Sequence, residues 1–107
     1  MEKHFNDDNF AQDVIEMSKT KPVLVDFYAD WCAPCRMQGP IVEEVATEFG
    51  DKASIGKLNT EEAGKTAQGY GVMSIPTIII FRNGEVAQTF VGVQPKEVLI
   101  EEINKHI

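Results

Sequence analysis

The sequence predicts an α/β protein with a mixed β-sheet that is covered by helices on both faces. Apolar runs of strand length alternate with stretches of helical periodicity along the chain. The run from Val23 to Ala29 is apolar on both faces, as a central strand of a parallel sheet should be. Asn83-Gly84 lies between two further apolar runs and is a strong hairpin signal. One sheet should therefore contain both parallel and antiparallel pairs.

The first two helices are predicted from their ends. Asp7-Asp8-Asn9 offers an N-cap for a helix that runs to about Ser18. A second helix should begin near Cys32 and end at Phe49, because Gly50 can adopt the left-handed conformation that stops a helix. Its buried stripe is expected to contain Ile41, Val42, Val45 and Phe49.

The remaining elements complete an alternating order. A third helical stretch is expected around Glu61 to Gln68, and a fourth helix should hold Pro95 in its first turn. Its apolar positions are Val98, Leu99, Ile103 and Ile107. Further strands are predicted at about Ala53 to Leu58, Thr77 to Phe81 and Val86 to Val91. The expected order is β-α-β-α-β-α-β-β-α.

Length and charge limit the possible functions. A chain of 107 residues should form a single domain, residues 1–107. Its formal net charge of −7, without a Lys/Arg cluster, excludes nucleic acid as an expected partner. The acidic N-terminus is unlike a secretory signal, and the longest apolar run, Thr77 to Phe81, is too short to cross a bilayer. We expect a cytoplasmic monomer without a membrane partner.

The two cysteines of the chain, Cys32 and Cys35, are the central candidates for chemistry. At a helix start, the Cys32 sulfur would face unpaired backbone N–H groups and the positive end of the helix dipole, which favour the thiolate. Cys35 lies one turn later, can form a disulfide with Cys32, and is expected to be more buried. Cys32 is therefore the predicted nucleophile, and Cys35 the residue that resolves a mixed disulfide.

A metal site is the alternative explanation of a Cys-x-x-Cys pair. Zinc and iron–sulfur sites need about four ligands. The other candidates besides carboxylates are His4 and His106, which lie at opposite ends of the chain without ligand spacing. We therefore expect no metal and a redox-active disulfide between Cys32 and Cys35.

Two prolines bear on the second helix. Pro34 fits a first helical turn, where its missing N–H costs nothing. Pro40 should kink the helix, because it removes one backbone hydrogen bond and clashes with a carbonyl. The alternative is that Pro40 begins a new helix.

Asp26 is the second chemical candidate, because it interrupts an apolar strand. Burial should raise its pKa, and a position beneath Cys35 would let it take the proton of that thiol. Lys57, on the next strand, would moderate the pKa shift of Asp26. The structural alternative is that Asp26 only hydrogen-bonds the backbone while Lys57 extends into water.

The sequence resembles the thioredoxin family over essentially its whole length. The matching segments are Val25-Asp26-Phe27, Trp31-Cys32-x-Pro34-Cys35, Pro40, Lys57-Leu58-Asn59, Ile75-Pro76-Thr77, Phe81-x-Asn83-Gly84 and Gly92. The resemblance implies the thioredoxin fold: a central mixed five-stranded sheet flanked by four helices. It also implies a cis bond before Pro76 that places this loop against Cys32.

The resemblance further implies a substrate-binding surface around the cysteines. Its members would be Trp31, Ala33, Pro34, Ile75, Pro76, Val91 and Gly92. The backbone of Ile75 could pair there with an extended chain, although simple packing is an equal explanation for Val91. The sequence departs from the family at Tyr28, where Trp is usual, and at Ala33, where Gly is common.

The resemblance implies a general protein-disulfide reductase that maintains redox homeostasis. Its partners would be disulfide-containing proteins and a flavin-dependent thioredoxin reductase that passes electrons from NADPH, with no cofactor bound to the chain itself. One alternative is a disulfide oxidase or isomerase, but such proteins usually carry His between the cysteines and are exported. Another is a binding module that uses the same surface without redox turnover.

Overall fold

The computed structural model describes residues 2–107 and centres on a five-stranded mixed sheet. The strands are β1 (Lys3–Phe5), β2 (Val23–Tyr28), β3 (Ser54–Asn59), β4 (Thr77–Arg82) and β5 (Glu85–Val91). Their order across the sheet is β1-β3-β2-β4-β5. β3 pairs in parallel with β1 and β2, whereas β4 is antiparallel to β2 and β5. The predicted mixed sheet is confirmed.

Helical segments cover the two faces of this sheet. They are an N-terminal π-helical segment (Ala11–Glu16) with a 3-10 turn (Met17–Lys19), then α1 (Ala33–Phe49), α2 (Gly64–Gly69) and α3 (Lys96–Asn104). A 3-10 turn at Gly50–Lys52 leads from α1 into β3. Among residues 2–107, no helix has both the length and the apolar character needed to cross a membrane.

The side chains of β2 alternate between two separate cores, as its pattern of apolar residues on both faces predicts. Val23, Val25 and Phe27 pack in the core beneath the N-terminal helical segment and α2. Leu24 packs in the opposite core with residues of α1 and α3. Asp26 follows Leu24 on the α1 face, so the one carboxylate of β2 is directed toward the helix that carries the cysteines.

The predicted hairpin joins β4 to β5 through two residues. Asn83 and Gly84 have φ angles of 58° and 81°, and the flanking Arg82 and Glu85 are paired. Positive φ at both central positions is what a tight hairpin turn requires, and Asn and Gly tolerate it best.

The ends of several helices differ from the prediction. In the turn before the N-terminal helical segment, Oδ1 of Asn6 accepts from the N–H groups of Asp8 and Asn9, and Oδ1 of Asn9 accepts from the Asn6 N–H. Of the predicted capping residues Asp7-Asp8-Asn9, Asn9 therefore takes part with its side chain. Asp7 is engaged elsewhere, because its Oδ1 accepts from the N–H and hydroxyl of Thr66 at 2.9 and 2.6 Å.

The later helices also have shorter or shifted bounds. α2 begins at Gly64 because the preceding residues form a turn on Asn59. Pro95 is the N-cap of α3 and not a residue of its first turn, and Ile107 lies beyond the helix and is exposed. α1 continues through Pro40, so the alternative of a new helix start there is wrong. Gly50 ends α1 with a φ of 55°, as predicted.

Candidate active site

The two cysteines lie at the N-terminus of α1 and are joined by a disulfide. Cys32 is the N-cap, in extended conformation, and the Cys35 N–H donates to its Sγ at 3.2 Å. Pro34 stands in the first turn, where no N–H is required. An N–H group and the positive helix end therefore both act on the Cys32 sulfur, an arrangement that favours a thiolate when the disulfide is reduced.

The expected difference in burial between the two cysteines is wrong. Cys32 is 3% exposed and Cys35 is 5% exposed. The reason is that the loop before β4 covers Cys32: its Sγ lies 3.7 Å from the carbonyl oxygen of Ile75, and Ile75 packs against the cysteine pair. What distinguishes the sulfurs is their position relative to α1.

The loop next to Cys32 contains a cis peptide bond between Ile75 and Pro76, as the resemblance implies. This loop is tied to the end of β5, because the Gly92 N–H donates to the Pro76 carbonyl at 2.9 Å. Gly92 has a φ of 93°, which a residue with a Cβ rarely adopts. The structure thus brings Ile75, Pro76 and Gly92 together beside Cys32.

The proposed substrate-binding residues divide into an exposed and a covered group. Trp31 and Val91 are 67% and 65% exposed, and Ala33 and Pro34 are also exposed. Packing within the fold therefore does not account for Val91. Ile75 and Gly92 are partly buried, and Pro76 is buried. Apolar side chains left open to solvent around a disulfide are typical of a contact surface.

Asp26 lies at a cavity that leads to the second cysteine. The cavity has a volume of about 270 Å³, and its lining includes Asp26, Cys35, Lys57 and Glu43. Asp26 is 1% exposed, and its Oδ1 has no hydrogen-bond partner among residues 2–107. Burial, reinforced by the charge of Glu2 and opposed by Lys57, raises the pKa of Asp26 to about 7. A carboxyl with this pKa can exchange a proton near neutral pH.

Lys57 is directly opposite Asp26 in the pairing of β2 with β3. Its ammonium lies 5.1 Å from the centre of the Tyr28 ring, within the range of a cation–π contact. The structural alternative requires a hydrogen bond from the backbone to Asp26 and a Lys57 side chain that extends into water. Oδ1 of Asp26 is unpaired among residues 2–107, and Lys57 is held over an aromatic ring at the edge of the cavity.

Several residues of this region carried no sequence signal. The Trp31 indole N–H donates to Glu61 at 2.9 Å, a contact across 30 residues that no spacing reveals. Met73 is 95% exposed and lines a groove of about 160 Å³ together with Val91. Glu2 acts on Asp26 from the N-terminal end of β1. Gln38 is completely buried in α1.

The cysteine pair can accept and donate two electrons by closing and opening its disulfide in place. No group of three or more His, Cys, Asp or Glu side chains that could hold a metal ion occurs in the described part of the chain. A disulfide at the start of a helix, beside an exposed apolar surface, defines a thiol–disulfide oxidoreductase whose redox group is formed by its own side chains.

Comparison with known proteins identifies the family to which the chain belongs within this class. The family model described as Thioredoxin matches residues 2–105. The thioredoxin of Bacillus subtilis is 52% identical over 85 residues, which covers 79% of this chain and 82% of that protein. The thioredoxin of Rickettsia prowazekii is 44% identical over the full length of both chains. The chloroplastic M-type thioredoxin of Chlamydomonas reinhardtii is 45% identical over 95% of this chain and 71% of its own.

The chain belongs to the thioredoxin family. Its function is that of a thioredoxin-type disulfide reductase, and the pair Cys32–Cys35 is its redox-active disulfide. The relatives named thioredoxin, together with the cysteine pair, favour the reductase over the oxidase or isomerase and over a binding module without redox turnover. Disulfide-containing substrates and a reductase are its partners in general.

Proposed function

We propose that the chain reduces protein disulfides with Cys32 as the nucleophile and Cys35 as the resolving thiol. The observation that carries this assignment is the N-cap position of Cys32, whose Sγ accepts the Cys35 N–H at 3.2 Å. The N–H group and the helix dipole stabilise negative charge on this sulfur. Cys35, inside the first turn, lines the cavity of Asp26 instead.

The reaction begins from the reduced dithiol. The Cys32 thiolate attacks one sulfur of the substrate disulfide, a Cys32–substrate disulfide forms, and the other substrate sulfur leaves as a thiolate that takes a proton. Cys35 then loses its proton to the Asp26 carboxylate and attacks Sγ of Cys32. The Cys32–Cys35 disulfide closes, and the second substrate sulfur leaves as a thiolate that takes back the proton from Asp26. The substrate gains two electrons and two protons, and the dithiol is oxidised to the disulfide present in the structure.

The roles of the neighbouring residues follow from this sequence of steps. Asp26 serves as the base for Cys35, and Lys57 favours the ionised form of Asp26 that can accept a proton. The substrate platform consists of Trp31, Ala33, Pro34, Ile75, Pro76, Val91 and Gly92. An extended substrate chain would lie across it and pair with the backbone of Ile75.

The proposal also covers the reductase that regenerates the dithiol and the cellular compartment in which the chain acts. A flavin-dependent thioredoxin reductase would restore the dithiol with electrons from NADPH, and the chain itself would act as a cytoplasmic monomer in redox homeostasis. The alternative donor is a ferredoxin-linked reductase. We favour the NADPH-linked donor.

The deciding experiment is insulin disulfide reduction with NADPH and a bacterial thioredoxin reductase. The wild-type protein should turn over, Cys32→Ser should not, and Cys35→Ser should accumulate a mixed disulfide on Cys32. Turnover that survives Cys32→Ser would overturn the assigned nucleophile. If the protein reduces insulin with dithiothreitol as the electron donor but not with the NADPH-linked reductase, the proposed donor is refuted and the assigned cysteine roles are not.

A further inference from the structure

Gln38 is a buried polar side chain that joins α1 to the segment after β5. It is 0% exposed and lies one turn beyond Cys35. Its Nε2 donates to the carbonyl of Gln94 at 3.1 Å, and its Oε1 accepts from the N–H of Gln94 at 2.7 Å. Both ends of the amide are satisfied by the backbone of one residue. An apolar side chain in this core would leave those two backbone groups without these partners.

This contact closes a ring around the active site. The Gln94 side chain donates to the Gly92 carbonyl at 3.4 Å, and the Gly92 N–H donates to the Pro76 carbonyl at 2.9 Å. The adjoining Ile75 carbonyl lies 3.7 Å from Sγ of Cys32. These contacts connect α1 to the loop that contains Ile75 and Pro76, and that loop to the segment 92–94. Gln38 connects this segment back to α1.

We propose that Gln38 is a positioning residue for protein substrates. By holding segment 92–94 against α1, it fixes Gly92, and Val91 beside it, relative to the Cys32 sulfur. The proposal rests on the substrate platform proposed above. A polypeptide disulfide must contact the platform while Cys32 attacks, whereas a small disulfide needs access to the sulfur alone. Loss of Gln38 should therefore impair protein substrates selectively.

The test compares two disulfides with the pre-reduced protein, so that no reductase is involved. Gln38→Leu removes both hydrogen bonds and places an apolar side chain of similar size in the core. We expect its second-order rate constant with insulin to fall about fivefold or more, because the loss of one hydrogen bond already corresponds to about fivefold. The rate constant with 5,5′-dithiobis(2-nitrobenzoate) should stay within about twofold of wild type. Amide exchange at Gln94 should become faster.

Two further variants separate positioning from stability. Gln38→Met also removes both hydrogen bonds but has a flexible side chain of nearly the same size, so it should show the same selective loss, and it serves if Gln38→Leu does not fold. Val45→Ala, a buried change in the same helix, should lower stability and leave the ratio of the two rate constants unchanged.

The outcomes separate the role of Gln38 from the proposed function and from the substrate platform. Equal losses for both disulfides, or unchanged rates for both, would overturn the positioning role while wild-type insulin reduction leaves the proposed function intact. A wild-type protein that reduces the small disulfide but not insulin would refute the platform, and the role of Gln38 with it.

Discussion

Asp26 and Lys57 are paired across β2 and β3, yet Oδ1 of Asp26 has no hydrogen-bond partner among residues 2–107. The Lys57 ammonium lies over the Tyr28 ring, at the edge of the cavity that both residues line. The carboxyl therefore lacks the close ion pair that would stabilise its charge, and burial dominates its protonation. A carboxyl that titrates near neutral pH, as the proposed base for Cys35 must, follows from this arrangement.

Asp26→Asn should stabilise the protein at alkaline pH. The ordinary pKa of an aspartate carboxyl is 3.8, whereas the pKa of Asp26 in the folded protein is about 7, so the folded state binds the additional proton between these values. Wild-type stability therefore falls as the pH rises through this window, and the full cost is present above it. The cost is at most about 4 kcal/mol, so the variant should gain on the order of 2–4 kcal/mol in the free energy of unfolding at about pH 9.

Urea unfolding of the disulfide form over the range from about pH 5 to about pH 9 measures this gain. The difference between variant and wild type should grow with pH and level off above about pH 7. Asp8→Asn, at an exposed position, is the control and should show no such growth. A gain that does not change with pH would contradict the raised pKa of Asp26.

The same substitution should slow resolution of the mixed disulfide. In the wild-type protein the rate of the Cys35 step should rise with pH as Asp26 ionises, through about pH 7. Without the carboxylate this step should be slower by about tenfold or more near neutral pH, and the part of the rise that follows the ionisation of Asp26 should be lost. Rapid mixing of the reduced protein with a disulfide peptide, with acid quenching, measures the lifetime of the mixed disulfide. An unchanged lifetime would return Asp26 to a structural role.

Glu2 and Lys57 should shift the pKa of Asp26 in opposite directions. Glu2 raises this pKa and Lys57 lowers it, so Glu2→Gln should lower the pKa below about 7 and Lys57→Gln should raise it above that value. A carboxyl-carbon NMR titration of Asp26 reports both. Glu101→Gln, which removes one exposed charge on α3, is the matched control. Shifts in the same direction for the first two variants would contradict the assigned charges.

Much of the sheet and of the redox centre could be predicted from the sequence because their signals are local. A run that is apolar on both faces, an Asn-Gly turn and a Cys-x-x-Cys pair each lie within a few residues. The long-range contacts gave no such signal. Trp31 to Glu61 and Gln38 to Gln94 depend on how loops meet after the sheet has formed. The expectation that Cys35 is more buried than Cys32 is wrong because a loop 43 residues away covers Cys32, a contact that only the resemblance to the family implies.

β1 shows a different limit. The predicted order begins with a strand, but three residues, Lys3–Phe5, are too few to produce a measurable alternation. Their pairing is specified on the other side, by Gly56 of β3. A Cβ at Gly56 would lie 2.6 Å from the Lys3 carbonyl oxygen and 2.6 Å from the Phe5 ring. β1 cannot be located from its own residues, and its place in the sheet depends on residue 56 of β3 being a glycine.

Gly56→Ala should accordingly destabilise the protein by about 1–3 kcal/mol, the usual cost of forcing an additional methyl group into a packed interior. Backbone atoms cannot give way as a flexible side chain can, so β1 must move from the sheet edge, and the amides of Lys3–Phe5 should exchange faster. Urea unfolding and hydrogen exchange measure the two effects. Gly69→Ala is the matched control, because nothing lies within 4 Å of its added Cβ, and its stability should be unchanged or slightly higher. Equal effects of the two variants would show that the space at Gly56, and hence the close approach of β1, does not limit stability.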